Sequence, residues 1–312
     1  MKDHRVPNTG GRRGERSDTL AAMHRLHASR RAARAAPPAE PLGSLRGIWG
    51  RPYLDLTRYV DTSRFAAIDE EICLALAELP TSYTGGSHKW MGIVPPSLEG
   101  EPYVDYGQVI ERMSPEEFAR FVSLSDDPES FDLGEQSTYE FGEERPHGLN
   151  KRQMRWLEYR YGVYFPWKVF YELIPTRGWD DKSTGRGKSF TEEAEAHFPR
   201  LIDFVKSLPF AEIGRCNIMG LAANDHGTVH HDRSSDDKVS VDHFITFCPR
   251  GDKELFLWDE EEKRKVTVTP KVYWFNDGDY HGVESAPFFR YSVRVDGFFR
   301  PELVARLRRD FT

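Results

Sequence analysis

An α+β fold with a mainly β core is what this 312-residue chain predicts. Two observations carry that expectation. Helical periodicity ends near residue 210, and from Arg215 onward short β-rich runs follow one another at 215–222, 228–232, 241–247, 253–258, 265–269, 271–276 and 288–299. Turn clusters such as Pro249-Arg250-Gly251-Asp252 and Asn276-Asp277-Gly278-Asp279 separate most of these runs, a texture expected of an antiparallel sandwich or jelly roll. Helices ahead of it would buttress one sheet.

The elements before residue 210 are read from spacing and caps. Residues 1–40 hold nine Lys+Arg against four Asp+Glu, with Arg12-Arg13, Arg30-Arg31 and an Ala/Arg run ending at Pro37-Pro38. This leader is expected to be a disordered or loosely docked basic tail, with residues around Thr19–Ala36 able to become helical when docked. From Asp61 to Pro80, Phe65, Ile68, Ile72, Leu76 and Leu79 recur at helical spacing, and Pro80 stops the helix. Ser82–Tyr106, rich in glycine, proline and aromatics, reads as an ordered loop. Ser114-Pro115-Glu116-Glu117 places a capping serine before proline at the first helical position and glutamate at the third, so a short helix through Phe118 and Phe121 follows. Ser123–Glu144 is polar and acidic and reads as a surface excursion. Asn150 caps a helix through Met154 and Trp156-Leu157, which leads into the aromatic segment Tyr159–Tyr171. A further helix is expected from about Thr191 to Ser207. No internal repeat is present, and one elaborated domain is expected over residues 41–312: a helical and loop-rich front (41–210), a jelly-roll core (211–300) and a C-terminal helix (301–312).

Composition narrows the function classes. Hydrophobic residues make up 38% and aromatics 13%, enough for a sizeable core and too many for wholesale disorder. No apolar run approaches the roughly 20 residues of a membrane helix, and none follows the basic leader as a signal peptide requires. The formal net charge of −7 disfavours nucleic acid as the main partner. It combines +5 on residues 1–40 with −12 on the remainder. Cys73, Cys216 and Cys248 are scattered and odd in number, forming neither a zinc pattern nor a disulfide framework. A cytoplasmic globular protein is expected. Gly185-Arg186-Gly187-Lys188-Ser189 resembles a phosphate loop, but Lys182 stands where that pattern needs glycine and no hydrophobic strand precedes it.

The sharpest local signal is Val229-His230-His231-Asp232. On a strand, His230 and Asp232 share a face and His231 points opposite. An imidazole and a carboxylate at that spacing can take two adjacent corners of a divalent metal, and one more ligand completes a facial triad with three open positions. Alone the pair is weak, since a His226, His230, His231 cluster also suits a polar turn. His281 follows a turn 49 residues after Asp232, far enough for several strands to return the chain beside the pair. Nine residues further lies Arg290, in a segment where Arg290, Ser292, Arg294 and Asp296 share one face and Tyr291, Val293 and Val295 the other.

His-x-Asp, a later His, then Arg at plus nine and Ser at plus eleven resemble the iron(II)/2-oxoglutarate-dependent dioxygenases, and Pro270–Phe275 is similar to that family's strand before the distal histidine. The resemblance implies a double-stranded β-helix, a distorted jelly roll. It implies His230, Asp232 and His281 as iron ligands, and Arg290 with Ser292 as the grip on the far carboxylate of 2-oxoglutarate. A planar guanidinium matches a carboxylate in two hydrogen bonds. Iron(II), 2-oxoglutarate as cosubstrate and dioxygen would together hydroxylate an unactivated C–H bond, with release of succinate and carbon dioxide. Val295-Asp296-Gly297-Phe298 and Pro301-Glu302-Leu303 look most like the tail of the aspartyl/asparaginyl β-hydroxylase group and of bacterial amino-acid hydroxylases. That likeness implies an amino-acid-like small molecule or a peptide as substrate, and the Arg/Ala-rich leader fits a bacterial natural-product pathway. The resemblance covers the last third of the chain. Some members of the group lack the carboxylate ligand, and the spacing to arginine is nine here where the group shows about ten. Related halogenases put a small residue where Asp232 stands, so hydroxylation is expected over halogenation.

Four further residues are candidate substrate contacts: Arg294, which either meets a substrate anion or pairs with Asp296; His243, a core histidine or a cavity residue; and Arg215 and Asn217, which share a face of the first core strand. Trp258, Trp274 and the Tyr159–Tyr171 aromatics read as core. Glu260-Glu261-Glu262 followed by Lys263-Arg264-Lys265 reads as a solvated hairpin tip. Two other readings of the same fold are a metal-binding cupin that does not use 2-oxoglutarate and a non-catalytic jelly-roll binding module.

Overall fold

The computed structural model describes residues 42–81, 106–141, 147–176, 181–232 and 244–312. The leader, residues 82–105 of the expected glycine- and aromatic-rich loop, and His243 lie outside them. The described strands are β1 (Tyr53–Asp55), β2 (Val169–Ile174), β3 (Phe210–Leu221), β4 (Gly227–His230), β5 (Phe244–Phe247), β6 (Leu255–Asp259), β7 (Arg264–Thr267), β8 (Val272–Phe275), β9 (His281–Val283) and β10 (Arg290–Phe299). They form a six-stranded sheet in the order β1-β8-β5-β10-β3-β2 and a four-stranded sheet in the order β4-β9-β6-β7, with every pairing antiparallel. From β3 to β10 the chain alternates between the two sheets, except at the β6–β7 hairpin. The mixture of helices with antiparallel sheet is the class the sequence predicts.

Binary patterning explains the layering. In β10, Tyr291, Val293 and Val295 join Cys216 and Ile218 of β3, and Ile245 and Phe247 of β5, in the main core. The helices α1 (Phe65–Glu78) and α6 (Pro199–Ser207) pack there, with Phe65, Phe204 and Phe247 in ring contact at 5.4, 5.8 and 5.0 Å. A second cluster gathers Val109, Phe118, Phe121, Met154, Leu157 and Phe165 from α2 (Tyr106–Glu111), α3 (Pro115–Ser123), α4 (Lys151–Tyr161) and the segment after α4.

Several expectations are corrected by local chemistry. The helix drawn from Thr191 to Ser207 is two, α5 (Glu192–His197) and α6, because Pro199 disfavours helical geometry at Phe198, which sits at φ −126° and ψ 42°. Asp61 caps a single 3-10 turn, Thr62–Arg64, before α1 begins. The polar stretch from Ser123 is largely exposed, yet Phe131, Tyr139 and Phe141 turn back onto the second cluster. Strands β1 and β2 are additions at the two edges of the six-stranded sheet, and β9 is a further strand between the runs expected at 271–276 and 288–299. The C-terminal helix, α7 (Pro301–Phe311), starts with proline at its first position and buries Leu303 and Leu307.

Both helix caps form as the sequence predicts, at Ser114 and Asn150, and the structure completes each as a capping box. The Asn150 side chain accepts from Arg152 N at 3.0 Å and Gln153 N at 2.9 Å, while its amide donates to the Leu124 carbonyl at 2.8 Å. Asn150→Ala is expected to cost about 1 kcal/mol, read as a lower urea midpoint at unchanged slope.

Candidate metal centre

The site forms where the four-stranded sheet faces the larger one. His230 is the last residue of β4 and His281 the first of β9, and the two are direct partners across that pairing, with ring centroids 4.4 Å apart. Gly282 permits this close packing: a Cβ there would lie 2.7 Å from the Phe256 ring and 2.9 Å from the Gly227 carbonyl. Asp232 lies just past the end of β4, so strand alternation alone does not aim it. Its N–H donates to the Asp277 carbonyl at 2.7 Å, which ties it to the turn leading to His281.

The two imidazoles are oriented alike. His230 Nδ1 lies 2.8 Å from the Thr228 carbonyl and His281 Nδ1 2.9 Å from the Asp279 carbonyl. With Nδ1–H donating to those carbonyls, both Nε2 lone pairs face inward, as metal-ligating histidines require. Asp232 Oδ1 lies 3.4 Å from His230 Nε2 and 3.8 Å from His281 Nε2, and the three ligand atoms fall within 4.8 Å of one another. Two nitrogen lone pairs and a carboxylate oxygen aimed at one point repel each other unless a cation lies between them. The donor set therefore fits a divalent metal of the two-histidine, one-carboxylate type. Burial, together with His230, pushes the His281 imidazole down to about 4, so it is neutral and free to ligate at neutral pH. At Asp232, burial acts to raise the carboxyl, but the adjoining His230 and His281 rings and the Arg294 guanidinium outweigh it and hold it well below its ordinary range.

Facing the triad, β10, β3 and β5 supply one rung of side chains: Arg294 is paired with Asn217 on one side and Thr246 on the other. Arg294 donates from Nη1 to Asp232 Oδ2 at 2.9 Å, from Nη2 to Asp277 Oδ2 at 2.9 Å and from Nε to Asp296 Oδ1 at 3.1 Å. Asp296 also accepts from Arg215 Nε at 3.0 Å, and Lys182 Nζ lies 3.6 Å from Asp277. Arg294 thus takes the structural alternative, and its pairing extends past Asp296 to two further carboxylates. Arg215 lines the same cavity but is likewise engaged by Asp296. Asn217 also lines it, 1% exposed, with its Oδ1 unpartnered among the described residues.

The cavity is about 50 Å³ and includes the triad, Trp167, Lys253 and Ser292 in its walls. Arg290 is absent from this lining, which corrects the expectation that its guanidinium faces the cavity. It is fully buried, and it donates to the carbonyls of Ala222 at 3.2 Å, Phe288 at 3.3 Å, Glu284 at 2.6 Å and Asp225. Those bonds fasten the β3–β4 connection to the β9–β10 connection. Lys253 also lines the cavity, and its Nζ donates to Ser292 Oγ at 2.5 Å and lies 4.4 Å from the Trp167 ring centroid. Among the described residues no carboxylate pairs with it. Burial, with a contribution from Arg290, lowers its ammonium to about 7.

The structure thus brings the sequence-predicted triad and Ser292 to one cavity, and adds to its lining Lys253 and Trp167, which the sequence reading did not single out. One signal for Lys253 was present: it shares strand parity with Leu255 and Leu257, both buried in the core. The Gly185 turn is a structural feature, its N–H donating to Glu212 Oε1 at 2.5 Å.

No family model matches the chain, and no curated protein matches it. Among solved structures it is similar to a Pseudomonas putida prolyl-4-hydroxylase, at 14% identity and a TM-score of 0.24 over 42% of this chain and 72% of that one. It is also similar to an oxidoreductase of the 2OG-Fe(II) oxygenase family from Burkholderia pseudomallei, at 13% identity and 0.26 over 41% and 66%. A viral collagen prolyl hydroxylase from Paramecium Bursaria Chlorella virus-1 matches at 9% identity and 0.24 over 41% and 76%. Scores this low carry no weight for function, which is argued from the chain's own residues. Among the described residues no helix is long and apolar enough to cross a membrane.

Proposed function

We propose that this protein is an iron(II)/2-oxoglutarate-dependent oxygenase that hydroxylates an unactivated C–H bond of an amino-acid-like substrate, free or within a peptide. The observation that carries the proposal is the pairing, in one cavity, of the His230, Asp232, His281 donor set with the Lys253 ammonium, which meets a hydroxyl and an aromatic face and, among the described residues, no carboxylate. A buried cation without a carboxylate is costly, and an anionic ligand relieves that cost. A dicarboxylate that chelates the metal at one end and meets Lys253 and Ser292 at the other satisfies both features. Lys253 thus takes the role that the resemblance gave to Arg290, and Ser292 keeps its own. The alternation of β3–β10 between two sheets supports reading the core as a double-stranded β-helix.

When bound, iron with its cosubstrate would supply oxidation of the C–H bond by dioxygen. The chain's own residues bind, orient and exclude water. His230 and His281 are aimed through their Nδ1 contacts, Lys253 with Ser292 fixes the cosubstrate's far carboxylate, and Trp167 covers the ammonium. Asp232 holds the corner that a halide would need, which favours hydroxylation. A cupin that does without 2-oxoglutarate leaves the desolvated Lys253 unexplained. The tail residues that suggested the amino-acid-hydroxylase group have structural employment here, Asp296 pairing two arginines and Pro301 starting α7. The amino-acid-like substrate therefore rests on resemblance.

Anaerobic titration with iron(II) and 2-oxoglutarate is expected to produce the weak visible charge-transfer band of the chelate. His281→Ala should abolish the band with the far-ultraviolet circular dichroism unchanged. Absence of the band in the wild-type protein would sink the reading, and succinate release across amino acids and peptides would identify the substrate.

A further inference from the structure

The geometry points to Arg294 as a positioning residue: we propose that it holds Asp232 as a one-oxygen ligand and so keeps three metal positions open. This inference rests on reading the triad as a metal centre. A carboxylate can bind a metal through one oxygen or both, and the two-oxygen mode would occupy one of the positions a chelating cosubstrate and dioxygen need. Asp232 lies beyond the last residue of β4, where strand pairing does not restrain its side chain. Its Oδ1 faces the two Nε2 atoms, whereas Oδ2 accepts from Arg294 Nη1 at 2.9 Å.

Arg294 is itself immobilised. Its Nη2 and Nε are engaged by Asp277 and Asp296, and its guanidinium carbon lies 3.9 Å from the centroid of the Phe244 ring. Asp296 is braced by Arg215 and Asp277 by Lys182. Among the described residues, Arg294, Arg215 and Lys182 thus face Asp232, Asp277 and Asp296 in one buried set. A rotation of Asp232 that brought Oδ2 to the metal would break a charge-assisted hydrogen bond that the fixed guanidinium cannot follow.

The test is Arg294→Gln, with cobalt(II) alone as the metal probe and 2-oxoglutarate then titrated anaerobically into the cobalt form. Cobalt(II) affinity is expected to be largely kept, its ligand-field spectrum to change, and 2-oxoglutarate affinity to fall roughly tenfold to a hundredfold. Parallel loss of metal and cosubstrate binding would show a scaffold role and overturn the proposal, as would a variant indistinguishable from wild type. If wild type binds neither cobalt(II) nor iron(II), the metal-centre reading itself fails, which separates the two claims. Should Arg294→Gln not fold, infrared difference spectra of wild type with and without zinc(II) decide. The wide carboxylate stretching separation of one-oxygen binding supports the proposal, and the narrow separation of two-oxygen binding overturns it.

Discussion

Lys253→Met is expected to weaken 2-oxoglutarate binding by roughly 30-fold or more while leaving iron(II) affinity nearly unchanged, since losing one partner of a buried, hydrogen-bonded charge pair costs about 2 kcal/mol at the least. Methionine fills a similar volume beside Trp167, so the loss reports charge. The cavity is lined both by the candidate metal ligands and by Lys253 with Ser292, and only Lys253 is altered. Anaerobic titration of each component separately checks this, and equal loss of both affinities would defeat the assignment.

The same lysine predicts a pH dependence. Its ammonium is lowered to about 7 in the ligand-free protein, first by burial and then by Arg290. An anion beside it favours the protonated form, so above pH 7 binding must take up a proton, and affinity should fall about tenfold per unit up to the ordinary lysine range. Below pH 7 the lysine is already protonated and contributes no slope. Lys253→Arg, charged throughout, should remove the slope. The stability sign is opposite to that of a paired group. Between about pH 7 and the ordinary lysine value the unfolded chain binds more protons than the folded one. Wild-type stability therefore rises with pH across that window, and its full penalty is present below it. Lys253→Met should accordingly stabilise the protein most at pH 7 and below, and denaturant titrations at pH 6.5 and 9.5 would show the difference.

Asp296→Ala is expected to carry the largest stability cost of any change at the site, about 3–5 kcal/mol, because it removes the carboxylate shared by two buried guanidiniums. Arg215 reaches Asp296 at 3.0 Å and Arg294 at 3.1 Å, and Asp296 is fully buried. Burial alone would raise its carboxyl, but Arg215 and Arg294 outweigh burial and hold it below its ordinary value. Its stabilising contribution is therefore present above the ordinary aspartate value and lost as pH falls through the lowered folded value. Chemical denaturation at pH 7 checks the magnitude. A cost under 1 kcal/mol would mean that the cavity hydrates and screens both arginines.

The His230–Asp232 pair was legible because its information is short-range, and the resemblance supplied His281 as its distal partner. His230 and Asp232 lie two residues apart on one segment, and His281 follows a turn that announces itself through Asn276-Asp277-Gly278. Strand parity likewise placed Ser292 and Arg294 on the cavity face, where both are found. Parity failed at Arg290 because that residue opens β10. There the chain leaves the sheet, and the carbonyls of two connecting loops are nearer than the cavity. The break at Phe198-Pro199 was readable from the proline, whereas edge strands β1 and β2 draw their pairing from partners more than 40 residues away.

Sequence by itself determined the α+β class, a helix-rich front ahead of a strand-rich back, the two helix caps and the His230–Asp232 pair, each a consequence of periodicity or spacing within a few residues, and the resemblance joined His281 to that pair. Tertiary structure alone decided which cavity cation has no carboxylate beside it among the described residues. Arg290, Arg294, Arg215 and Lys253 all lie near the cavity strands, and composition does not rank them. Packing assigns carbonyls to Arg290 and carboxylates to Arg294 and Arg215, and leaves Lys253 desolvated against Ser292 and Trp167. The physical reason is that a charge's role depends on what neutralises it once water is gone, and those partners come from strands distant in the chain.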